Sequence, residues 1–179
     1  MSIHQDNVDN DMGWSSKLFM SQIFGLISKS IGGGYPLAVE SSADPLRRQL
    51  DVEAGIDFWQ VLEDGQMRGI ASRVQITKKP MNTFTIRFRR DSGLKTEFAK
   101  RRDAIKANSG YLFPHLTVHA YAMSKIGMVS SIGIARTKDV IEYCMKYSPA
   151  VLACENAEFL VCPWDDMIAR GYQVQVLEM

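Results

Sequence analysis

Asp57, Arg73 and Gln75 are the residues of this chain whose types and spacing first suggest chemistry. They lie in the stretch DVEAGIDFWQVLEDGQMRGIASRVQ, residues 51–75. Here an aspartate opens one strand, the turn EDGQ reverses the chain, and Arg73 and Gln75 follow two apart on the next strand. Residues two apart on a strand share a face, so both can meet an aspartate on the paired strand. A carboxylate in that position, helped by an amide oxygen and a second acid, would hold a hard divalent cation that grips a phosphate oxygen and lowers the pKa of water. Asp57 is the candidate ligand, and Asp51 is the acid nearest in sequence that could join it, with Glu53 beside it. Acids next to a turn also cap or solvate it, so a purely local role for Asp51 stays open.

Arginine cannot ligate a cation, and the residues after Asp57 are dominated by it. Residues 68–106 carry twelve Lys or Arg against Asp91, Glu97 and Asp103, a balance of +9 in a chain whose net charge is +1. Arg73 and Gln75 on one strand, with Arg87, Arg89 and Arg90 on the next, make one cationic face if those strands pair with matched faces. Lys100 and Arg101 follow on a helix. Arginine forks bind phosphate oxygens in pairs, and neutralising phosphates releases condensed counterions. The same residues would form a structural ion-pair network if Glu97 and its neighbours bridge to them. Three acids cannot neutralise twelve cations, which favours phosphate binding.

The elements that must position these residues follow from periodicity. Trp14, Leu18, Met20, Ile23, Phe24, Ile27 and Ile31 recur at helical spacing, so residues 13–31 predict an amphipathic helix, stopped by Gly32–Gly34 and Pro36. Asp44-Pro45 suits the start of a short helix. The hairpin of residues 56–76 precedes TFTIRFR (83–89), where Phe84, Ile86 and Phe88 alternate with Thr85, Arg87 and Arg89. Together they predict a three-strand meander. A helix over about 95–107, strands around HLTVHAYAM and MVSSIGIAR, a helix over TKDVIEYCMKY, and the tail elements EFLVCP, DDMIAR and YQVQVLE complete the order. This succession predicts an α/β (α+β) fold, a mixed β-sheet flanked by helices, formed by one globular domain over 13–179 behind a disordered leader, 1–12.

The order helix, hairpin with third strand, helix, strand, together with GID at 55–57 and RVQ at 73–75, resembles the restriction-endonuclease-like superfamily, the PD-(D/E)XK proteins. The resemblance covers about residues 13–135 by element order and rests on few motif residues. It implies a core order αβββαβ, Mg²⁺ held at Asp57 with Asp51, a catalytic set of Asp57, Gln75 and Arg73 in which Arg73 and Gln75 take the places of the family's acid-X-lysine pair, and phosphodiester cleavage. Arg73 and Gln75 depart from that pair, so the motif is a degenerate or variant one, and the alternative is a non-catalytic module that binds nucleic acid or another protein. Small size and a degenerate site would suit an accessory protein or inhibitor from a phage or mobile element.

Composition narrows the rest. At 46% hydrophobic and 23% charged, the chain has the make-up of a globular protein. Cys144, Cys154 and Cys162 have no zinc spacing, and an odd number of thiols suits a reducing, cytoplasmic setting. No run approaches the ~20 apolar residues that span a bilayer, so no membrane association is expected. The expected partners are nucleic acid, DNA ahead of RNA, and a second copy or another protein. Trp59, Tyr111, Phe113, Tyr121 and Trp164 are candidates to stack on bases, although aromatics in strands more often fill the core. His115 and His119, four apart on a strand, lack a third ligand for a metal role.

Overall fold

In the computed structural model, residues 13–39, 54–79, 81–107, 112–125 and 128–179 are described. The leader 1–12, the predicted helix start at Asp44-Pro45, and Glu40, Asp51, Glu53 and Tyr111 lie outside them.

The chain begins with α1 (residues 13–31), whose middle five residues, Phe19–Ile23, are π-helical and whose last turn, Ser28–Ile31, is a 3₁₀ helix ending at left-handed Gly32. The wider π turn keeps Phe19 and Ile23 both inward and fully buried. Met20, counted with the apolar stripe from sequence, turns out to be 40% exposed. The strands are β1 (Tyr35–Ala38), β2 (Phe58–Val61), β3 (Met67–Ile76), β4 (Thr83–Arg90), β5 (Leu116–Ala122), β6 (Val129–Arg136), β7 (Val151–Cys154), β8 (Ala157–Pro163) and β9 (Val174–Glu178). The later helices are α2 (Glu97–Ala107), α3 (Thr137–Tyr147) and α4 (Trp164–Ala169). Among the described residues no helix is long and apolar enough to cross a membrane.

The strands form two sheets, a six-stranded one ordered β1-β2-β3-β5-β6-β9 and a three-stranded one ordered β4-β8-β7. Within the larger sheet β3 and β5 run parallel and every other neighbouring pair antiparallel, so the fold is mixed α/β as expected. The meander exists, but its members are β1, β2 and β3. The expected third strand, β4, leaves the sheet and pairs with β8 across the domain. A parallel crossover needs a long connection, and the chain from β3 to β5 supplies it with β4 and α2. The matched cationic face expected of β3 and β4 therefore does not arise by strand pairing.

Two cores flank the larger sheet. On one face α1 packs Leu18, Phe19, Ile23, Phe24 and Ile27 on Phe58, Ile70, Val118, Ala120 and Ile132, with the rings of Phe19 and Phe58 stacked 4.2 Å apart. On the other face Tyr121 and Ala135 meet Phe84, Ile86, Val140, Ile141, Trp164 and Met167 from the second sheet and the later helices. β5 is thus covered on both sides, which explains why Thr117–Ala122 are all buried. Trp164 sits between Phe84 and Tyr121, and the absence of a side chain at Gly133 makes room for it, since a Cβ there would lie 2.2 Å from the indole. Tyr121 and Trp164, two of the candidate stacking residues, are therefore core, and Trp59 packs against the small cluster of Val39, Ala54 and Ile56.

Candidate functional site

The departure of β4 from the large sheet builds the site. A strand that leaves its neighbours must satisfy its backbone groups elsewhere. Thr83, Thr85 and Arg87 do so on side chains. The Tyr121 hydroxyl donates to the Thr83 carbonyl at 2.9 Å, and His119 Nδ1 lies 3.0 Å from that carbonyl and 3.3 Å from the Thr85 nitrogen. Arg87 N–H donates to Glu97 Oε2 at 3.3 Å. Neutral imidazole serves one of its two contacts at Nδ1 at a time, and donation to Thr83 is the shorter. Three residues from β5 and α2 thereby stand in for a missing strand, and the wedge between β3, β4 and α2 opens as a cleft of about 390 Å³.

Its walls gather Arg73 of β3, Arg87 and Arg90 of β4, and Lys100 and Arg101 of α2, together with Asp57, Ser72, Glu97 and His119. Seven of these residues are charged, five positive and two negative, so the cleft carries a formal +3 with His119 neutral. Arg101 is 2% exposed and donates through Nη2 to the Gly55 carbonyl at 3.3 Å. Its Nη1 approaches Glu97 Oε1 to 2.6 Å, ion-pair range though poorly aligned for a hydrogen bond. Arg73 reaches Glu97 Oε2 at 3.2 Å and Thr85 Oγ1 at 3.1 Å. Arg73 and Arg87 both lie over the Phe159 ring, 4.9 and 5.5 Å from its centroid, within cation–π range.

The electrostatics follow from this crowding. Burial alone would raise the Glu97 carboxyl, but Arg101, Arg73 and the Arg87 N–H outweigh it and hold its pKa at about 2. Burial drives His119 down to about 3, and the Arg73 charge pushes the same way. Arg87 is lowered by burial and then by Arg73, with Glu97 opposing only in part. Glu97 is shared by two guanidinium groups and cannot neutralise the rest. The Nε atoms of Arg87, Arg90 and Arg101 are buried without a hydrogen-bond partner.

Of the residues expected from sequence, Asp57, Arg73, Arg87, Arg90, Lys100 and Arg101 converge here. Arg89 does not: it is exposed and pairs with Glu158 at 3.5 Å. Gln75, two residues along β3 from Arg73, is not among the cleft-lining residues, and its buried Oε1 has no partner. His115 and His119 separate, the first accepting from Gly69 N–H at 3.0 Å and the second facing β4. Asp57 lies just before β2, where its Oδ2 accepts the Ser72 N–H at 2.5 Å, taking the place of the strand that has ended. Ser72 and His119 belong to the site and escaped the sequence, because only their register against Asp57 and β4 brings them in.

The Mg²⁺ implied by the resemblance needs oxygen donors with carboxylate charge. Glu97 is committed to two arginines, Asp57 has one oxygen on Ser72, and the surroundings carry five cations. Among the described residues no three or more His, Cys, Asp or Glu side chains gather as a metal-binding group. The described donors do not fit a divalent cation; they fit an anion. Comparison of the chain with protein-family models, with curated proteins and with solved structures finds no match.

Proposed function

We propose that this protein binds nucleic acid through its phosphates, with the arginine cleft between β3, β4 and α2 as the anchoring site. One observation carries the reading: five cationic side chains from three elements meet over two carboxylates. A phosphate oxygen satisfies such donors, and the +3 excess supplies the attraction that steers a polyanion. Phe159 packs against two of the guanidinium groups, and such prior placement lowers the entropy lost on binding.

Binding rather than cleavage is the function these donors support best. The experiment incubates labelled single- and double-stranded oligonucleotides with the protein in Mg²⁺ or Mn²⁺ and follows both retention and chain length. The expected result is retention of intact strands at low salt, unchanged or tighter in Asp57→Ala, because that substitution removes a negative charge from the cleft. Metal-dependent shortening of the strands that disappears in Asp57→Ala would instead establish a phosphodiesterase built around that carboxylate.

A further inference from the structure

Within the nucleic-acid reading, on which this step rests, the depth and charge of the cleft select which phosphate it takes. We infer that the cleft receives a phosphomonoester, the terminal phosphate of a nucleic-acid strand, rather than an internal phosphodiester.

The first argument is access. Arg101 is 2% exposed and belongs to the cleft wall, so only a group that enters the cleft comes close to its guanidinium. An internal phosphodiester continues into sugars on both sides, and burying it would carry both neighbours inward. A terminal phosphate is attached at one oxygen and offers three strong acceptors on a compact head. The cleft, at about 390 Å³, has room for that head and the nucleoside that bears it, not for a continuous duplex.

The second argument is charge. Five cations against Asp57 and Glu97 leave +3, and Glu97 is already shared between Arg73 and Arg101. A phosphodiester brings one negative charge, a phosphomonoester about 1.5 to 2 at pH 7, so the second compensates the crowded arginines far better. Glu97 has a place in this scheme, since it aligns Arg73 and Arg101 without discharging the cleft.

The test measures affinity by fluorescence anisotropy for one single-stranded oligonucleotide prepared with a hydroxyl at both ends, with a 5′-phosphate, and with a 3′-phosphate. The expected result is binding about tenfold or more tighter for a strand carrying an end phosphate, a preference that collapses to about twofold in Arg87→Ala. Arg87 is the side chain to change because Arg101 supports the fold through Gly55 and Glu97, and circular dichroism of the variant confirms that it folds. A nucleoside monophosphate should compete where the unphosphorylated nucleoside does not, yet bind more weakly than the phosphorylated strand; equal affinity of the two would overturn the assignment to a strand end. Equal binding of all three strands overturns the inference while leaving nucleic-acid binding in place. Failure to bind any strand overturns both.

Discussion

Between pH 7 and pH 3 the protein is expected to lose most of its stability, first through His119 and then through Glu97. Both groups have depressed folded-state values. His119 titrates at about 3 in the fold against 6.5 when unfolded, and Glu97 at about 2 against 4.5. In each case the unfolded chain binds the proton more readily, so the stabilisation is fully present above the unfolded value and disappears as the pH falls toward the folded one. The window from 6.5 to 4.5 belongs to His119 and to His115, which burial and the Arg68 charge also lower, and below 4.5 Glu97 adds its own loss. The Glu97 shift corresponds to roughly 3 kcal/mol at ~1.4 kcal/mol per unit, an upper figure because its side chain keeps 23% exposure. Urea unfolding from pH 3 to 8 reads this directly. His119→Gln should make the curve shallower between 6.5 and 4.5, leaving the part that His115 contributes. Glu97→Gln should make the part below 4.5 shallower and cost about 3 kcal/mol at pH 7, because it leaves the buried Arg101 and the partly buried Arg73 without their shared counter-charge. A stability that stays level from pH 7 to pH 4 would contradict this picture of the cleft wall.

Arg87→Glu should do the opposite, abolishing binding while sparing the fold. The substitution lowers the cleft charge from +3 to +1 and places a carboxylate where a phosphate would sit, so affinity for an oligonucleotide should drop by about a hundredfold or more at low salt, where such fields are least screened. Stability should be unchanged or higher. Arg87 sits among Arg73 and Arg90, and this mutual repulsion helps to lower its pKa; an acid there would pair with those neighbours. A residue whose loss stabilises the protein and disables binding is held for function at a cost in stability. Comparing the urea midpoint and the dissociation constant of the same variant checks both halves. Lost binding with an equal loss of fold would place Arg87 among the structural ion pairs instead.

The sequence carried the local part of this site. Alternation over TFTIRFR located a strand, charge density over residues 68–106 located the cations, and Asp57, Arg73, Arg87, Arg90, Lys100 and Arg101 proved to be neighbours in space. What it withheld was pairing. Nothing in the periodicity of β4 distinguishes a strand of the large sheet from one that leaves it, because the decision lies in β8, some seventy residues later, and in Tyr121, His119 and Glu97, which satisfy its backbone. For the same reason Arg89, a companion of Arg87 on the expected cationic face, ends on the outside with Glu158 after the irregular register between Arg87 and Arg89. His119 looked like an incomplete metal ligand because its partner is a main-chain carbonyl, a group present at every position. The π-helical turn at Phe19–Ile23 likewise leaves no trace in an apolar stripe, yet it decides that Phe19 is buried and Met20 is not.

The claim on which the rest depends is that the arginine cleft binds phosphate, and the salt dependence of affinity for a single-stranded oligonucleotide tests it most directly. The cation excess among the described cleft residues predicts a negative slope of log K against log salt for the native chain, at ~0.7 per phosphate contact, and a shallower slope in Arg87→Ala. A slope near zero, a slope unmoved by that substitution, or no binding at the lowest salt would contradict it.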